Sequence, residues 1–173
     1  MKKSINNKKI RIMNAIITAP TIMSMFMNLT TDVENNKFCY NAEMEDNRIS
    51  AIEVYKNNDN VLSAHIKRIY TYDELDRLLM RETLKWNKRK QTWEKHSCLC
   101  YSYSVEGYTV EKRFWDESSN DYAEAKEYSH YTIIMNHVVA VNDYKKDNQT
   151  GDYILAQNTL VIMPDTNKLM TMD

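Results

Sequence analysis

The chain has 173 residues and a formal net charge of −1, with only 2 Gly, 2 Pro and 3 Cys beside 12 Tyr. That is the length of one domain with one sizeable core. Balanced charge supplies no basic footprint for a nucleic acid, and two glycines cannot write a phosphate-cradling loop, so neither a nucleic-acid partner nor a cofactor is expected.

The first 31 residues hold Lys2, Lys3, Lys8, Lys9 and Arg11 and no acid, and an apolar, Met-rich run follows from Ile12 to Leu29. A basic start ahead of an apolar stretch reads as a secretory signal peptide over 1–31, with Thr30 and Thr31 the nearest small residues to a cleavage point. Asn14, Thr18, Pro20, Thr21 and Ser24 interrupt the run, which disfavours a stable membrane span. Export to the periplasm, cell surface or medium is the expected address. Taking those five cations from −1 leaves −6 for the single domain expected over 32–173.

Beyond the leader the chain repeats. Tyr55, Trp86, Trp115 and Tyr144 are spaced by 31, 29 and 29 residues, and Tyr70, Tyr101 and Tyr131 by 31 and 30. Two series with one period of about thirty residues mean stacked supersecondary units. Within a unit large residues alternate, as in Leu99, Tyr101 and Tyr103, which is the period of half-buried strands and disfavours helix. Short connections are expected at Glu45 to Asn47, Asp73 to Asp76, Ser104 to Gly107 and Met135 to Asn136. Longer polar loops are expected at Lys56 to Asn60, Asn87 to Thr92, Asp116 to Asp121 and Asp147 to Gly151. About nine strands result. Joined by short connections, they predict an all-β antiparallel meander, a curled sheet or open barrel. Neither proline interrupts it, since Pro20 lies in the leader and Pro164 after the last strand.

The stretch YTYDELDRLLMRETLKWN, Tyr70 to Asn87, resembles the tyrosine-aspartate repeat of Rhs-type proteins. YSYSVEGYTVEKRFW looks like a second copy, in which Gly107 keeps the motif glycine that Asp76 replaces in the first. The layout of leader, FCYNAEMEDNRI, YTYD turn, LKWN and QTWE also resembles the exported domain-of-unknown-function family 3836 of gut Bacteroidetes, over nearly the whole chain. That resemblance implies export and a repetitive β-sheet; it brings no assigned activity and no functional residue.

The candidate ligand-binding residues are aromatic. Trp86 and Trp93 flank one long loop, and Trp115 and Tyr122 flank the next. Large rigid rings at strand ends can stack on sugars or anchor a partner's side chains. The simpler reading is a cross-strand contact closing each hairpin, and recurrence in successive repeats favours it. Tyr70, Tyr101 and Tyr131 are expected on one face, their rings in the core.

His96, Cys98 and Cys100 alternate, which would put all three on one strand face as a weak candidate metal site, with His65 at the position equivalent to His96. Zinc cysteines ordinarily sit on a turn with wider spacing, so two free thiols on a buried strand is the plainer expectation. Cys98 and Cys100 are too far apart for an unstrained bridge, and no disulfide is expected. Asp73, Glu74 and Asp76 in one turn, and Asp116, Glu117 and Asp121 in one loop, could supply a hydrolase's two carboxylates. Turn geometry explains them without chemistry, and no nucleophile motif accompanies a histidine. The sequence therefore reads as an exported, non-enzymatic β-repeat module binding a glycan or a cell-envelope protein. A minimal hydrolase, or a structural component assembling through open sheet edges, are the alternatives.

Overall fold

The computed structural model describes residues 16–31, 37–58, 61–135 and 138–162. It consists of one helix, α1 (Ala19–Thr31), and ten strands. These are β1 (Phe38–Glu45), β2 (Arg48–Asn58), β3 (Val61–Tyr72), β4 (Leu78–Asn87), β5 (Thr92–Tyr103), β6 (Gly107–Asp116), β7 (Asp121–Tyr122), β8 (Glu127–Met135), β9 (Val138–Lys146) and β10 (Tyr153–Ile162). All pair antiparallel in one sheet of order β1-β2-β3-β4-β5-β6-β8-β9-β10, with β7 pairing β6. The sheet is a meander that stays open, ending in β1 on one side and β10 on the other. Pro164 and the tail 165–173 lie outside the described residues.

The long connections are tighter than their composition suggests. Asn87 pairs with Thr92, Asp116 with Asp121, and Lys56, Asn57 and Asn58 all stay in the β2–β3 ladder. Polar residues accept ladder positions here because hairpin closure needs only a few residues free of it. The turns rest on left-handed backbone at Asp46, Asn47, Asp76, Gln91 and Asn120, a conformation Asn and Asp tolerate. Asp76, with φ of 59°, adopts the conformation a glycine would ordinarily supply. Gly107 is needed for another reason: a Cβ there would lie 1.8 Å from the carbonyl oxygen of Tyr131 on β8.

Bulges carry the repeat as clearly as the aromatic residues do. His65 and His96 are each the extra residue of a bulge, in β3 against β2 and in β5 against β4. Ala156 is the extra residue in β10 against β9. In the intervening repeat the irregularity grows into a four-residue excursion, 123–126, which separates β7 from β8 along the same edge of β6. That excursion accounts for the tenth strand.

One sheet face forms the core. Ile49, Ile52, Val54, Tyr70, Leu78, Tyr101 and Tyr108 cluster there with Ile22 of α1. Ile49 and Leu78 are 0% and 1% exposed. Tyr131 packs against the cluster, its ring stacked on Tyr108 at 4.5 Å. The tyrosine series thus lies on one face, as its spacing predicts. Helix α1 is tied to the sheet by its backbone: the Ala19 N–H donates to the Asp76 carbonyl at 2.9 Å, and the Leu78 N–H to the Ile17 carbonyl at 2.8 Å. Among the described residues no helix is long and apolar enough to cross a membrane.

Two successive repeats build the same joint. The Tyr72 hydroxyl donates to the Ile49 carbonyl at 2.9 Å, and the Tyr103 hydroxyl to the Leu78 carbonyl at 2.7 Å. Arg48 lies over the Tyr72 ring and Arg77 over the Tyr103 ring, 5.8 and 4.6 Å from the centroids. Each arginine also grips a turn carboxylate, Arg48 that of Asp76 and Arg77 that of Asp73.

Leu78→Ala removes a side chain from this joint and is expected to cost about 2–5 kcal/mol in urea unfolding, against ~1 kcal/mol for Tyr103→Phe. Burial pushes both the Tyr72 and Tyr103 hydroxyls up to about 12, with neighbouring tyrosines adding to the effect. The folded state holds these protons after the unfolded chain has lost them. The contribution of these two tyrosines to stability is therefore expected to be level below about pH 10, the ordinary tyrosine value, and to be lost between pH 10 and 12. Chemical unfolding across that range, with tyrosinate absorbance as a second probe, reads both.

Candidate ligand-binding face

The sheet face turned away from α1 gathers all four aromatic candidates. Trp86 on β4 stands directly opposite Trp93 on β5, and Trp115 on β6 directly opposite Tyr122 on β7. Both pairs meet edge to face with ring centroids 5.1 Å apart, at 68° and 78°. This is the geometry aromatic quadrupoles favour. All four side chains are half-buried. Lys95, two residues past Trp93 on the same face, links the pairs, its ammonium 4.6 Å from the Trp115 centroid and 5.6 Å from that of Tyr122.

A carboxylate completes the group. The Tyr122 hydroxyl donates to Glu82 Oε1 at 2.9 Å, and Lys95 Nζ lies 3.6 Å from the same oxygen. Burial, and then the bond to the Glu82 carboxylate, raise the Tyr122 hydroxyl well above the ordinary phenol value. The flanking loops are closed by side-chain hydrogen bonds. The Asn87 side-chain oxygen accepts the N–H groups of Arg89 and Lys90, and Asp116 accepts the Ser118 N–H and hydroxyl and the Ser119 hydroxyl. Two walls of rings, a cation and a carboxylate so stand at one end of the sheet. A related trio recurs one repeat earlier: Tyr55 donates to Glu53 at 2.5 Å and Lys67 lies 3.1 Å from Glu53.

The metal candidates do not converge. Because His96 is a bulge residue, it turns away from the cysteines and sets its ring against Phe114 at 6.0 Å. Phe114 stands opposite Ser97, whereas Arg113 stands opposite Cys98, so His96 and Cys98 face opposite ways. Strict alternation placed all three on one face; the extra residue reverses that. Cys98 and Cys100 do share a face, with Sγ atoms 3.6 Å apart, and all three cysteines are free thiols. Among the described residues no group of three His, Cys, Asp or Glu is placed to hold a metal ion.

The acidic clusters are occupied by turn building. Asp73 accepts the N–H groups of Leu75 and Arg77 at 2.9 Å each and the Arg77 guanidinium at 2.7 Å. Against a desolvation that alone would raise it, these bonds hold its carboxyl below the usual range. Asp116 is held low by the Ser118 and Ser119 bonds. On the opposite sheet face, a groove of about 460 Å³ opens among Leu99, Val110, Lys112, Glu127 and Lys145.

The family model described as a family of unknown function, DUF3836, matches residues 1–136. The chain belongs to the DUF3836 family. Its fold resembles that of a protein of unknown function from Bacteroides fragilis NCTC 9343, with TM-score 0.63 and 24% identity over 74% of this chain and 94% of that one. A DUF3836 family protein from Bacteroides vulgatus ATCC 8482 is also similar, at 28% identity over 50% of this chain and 88% of that one, with TM-score 0.48. No curated protein matches.

Sequence reasoning found the four rings of this DUF3836 sheet but not Glu82 and Lys95. Their signal was present in the alternation Glu82, Leu84, Trp86 on β4 and Trp93, Lys95 on β5, which puts each charge on the face of its tryptophan. Cys98 is 2% exposed, and burial followed by the Cys100 contact pushes its thiol up to about 12. In the folded protein at pH 8, Cys98 is expected to resist iodoacetamide while half-buried Cys39 and Cys100 are modified; peptide mass mapping after short exposure distinguishes them.

Proposed function

We propose that the protein is an exported, non-catalytic module that binds a glycan on the outer sheet face. The observation that carries this reading is the gathering of Trp86, Trp93, Trp115 and Tyr122 around Glu82 and Lys95 at one end of that face. Sugar recognition asks for half-exposed rings to cover the apolar side of a pyranose and for fixed charged groups to take its hydroxyls. Trp86 and Trp93 are the stronger stacking pair, because Lys95 already covers the Trp115 ring. The hydrolase alternative is weakened by the loop acids. A general acid needs a raised pKa, and Asp73 and Asp116 are held below the usual carboxylate range by their turns.

Trp86→Ala and Trp93→Ala are each expected to weaken binding to an immobilised polysaccharide panel by about tenfold, while urea unfolding shows the sheet intact. Retained affinity in both folded variants would leave the rings as hairpin struts. Binding confined to envelope proteins would replace the glycan by a protein partner.

Export rests on the basic start and apolar run of residues 1–31. Ala19–Thr31 of that segment forms α1, whose Ile22 packs into the core cluster. Intact mass of the protein recovered from its own cells decides between two fates. A chain starting near residue 32 is expected and supports export with processing; a chain still carrying residues 16–31 would assign α1 permanently to the core.

A further inference from the structure

The two free edges of the sheet are unlike. β1 carries Glu43 and Glu45, charges of the kind that guard an edge against pairing. β10, YILAQNTLVI, has no charge and no proline. Among the described residues no strand pairs its outer side, and Ile154, Leu155, Leu160 and Ile162 are all more than half exposed. Long, apolar, unguarded edges pair with another strand.

The bulge at Ala156 decides which strand fits. It leaves Tyr153 and Leu155 on the same face as Asn158, Leu160 and Ile162, while Ile154 shares the other face with Gln157, Thr159 and Val161. An antiparallel ladder requires opposed residues to project from one face. Place a two-fold axis at Asn158, perpendicular to the sheet. Gln157 then meets Thr159, Leu155 meets Leu160, Ile154 meets Val161 and Tyr153 meets Ile162, every pair on a common face. Ala156 stays out of register on both strands, as it does against β9. Without the bulge, Leu155 and Leu160 would lie on opposite faces and this pairing would fail. The matched chemistry is apolar on apolar at both ends, with amides and hydroxyls at the centre.

We propose that two copies of the chain pair through β10 in this register, joining their sheets about a two-fold axis at Asn158. The occupant is a second copy because the strand is complementary to itself, and a two-fold contact closes on a dimer. The inference is independent of the glycan reading, which concerns β4 to β7.

Sedimentation velocity of the full chain from ~1 to ~100 μM tests it. The wild type is expected to be a dimer. Leu155→Lys combined with Leu160→Lys sets like charges opposite each other at both crossings and is expected to give a monomer, with dimer dissociation raised about 100-fold or more. Leu155→Glu combined with Leu160→Lys sets opposite charges there and is expected to restore a dimer that weakens with salt. Both positions are exposed, at 56% and 61%, so both variants keep the fold, which far-UV circular dichroism checks. A monomeric wild type at the highest concentration, oligomers that lengthen without limit, or two double variants that behave alike would overturn the proposal.

Discussion

A single sheet has two faces and, among the described residues, only a 13-residue helix to cover either of them. The rest of the structure answers that shortage of a second layer. Tyrosine solves it because a phenol is large enough to fill the space above a strand and polar enough to end in water or on a backbone carbonyl. Tyr72 and Tyr103 each reach across to the carbonyl of a buried aliphatic residue, Ile49 or Leu78, which binds the end of a hairpin, β2–β3 or β4–β5, back to its own start. The high tyrosine content is therefore a consequence of the architecture. Stacking of Tyr108 on Tyr131 extends the same cover toward β8.

The turns and joints are coupled. Arg48 and Arg77 each touch a tyrosine ring on the core side and an aspartate in a turn, so the conformation of the YTYD turn and the packing beneath it are held by common side chains. Asp76 contributes in three ways at once: a left-handed backbone, a carboxylate for Arg48, and a carbonyl for the first N–H of α1. That concentration of roles in one turn accounts for its acidic composition without any catalytic demand on it.

Much of this was legible before the structure. The thirty-residue period, the antiparallel meander and the placement of Tyr70, Tyr101 and Tyr131 on one face follow from spacing alone, because strand alternation and repeat length are properties of the chain. The bulges were not legible. Whether His96 keeps alternation with Cys98 depends on which carbonyl its neighbour across the ladder uses, a choice made between strands and invisible within one. The same limit hid the four-residue excursion before β8. The docking of α1 was obscured by its composition, which an export signal and a buried amphipathic segment share. Glu82 and Lys95 went unremarked because isolated charges on a strand read as a solvated face until the neighbouring strands put rings beside them.

Every main-path strand pairs with the strands next to it in sequence, and the only exception, β8 on β6, skips a two-residue strand. Such a sheet has no closure condition to satisfy, so its width can change by one hairpin without disturbing the register of any other. The family match ends at residue 136, and β9 and β10 lie beyond it. Adding that hairpin widens the sheet by about 10 Å at the usual strand spacing. It also replaces one edge with another, so a lineage that gains or loses a terminal hairpin changes which strand meets the outside world in a single genetic step.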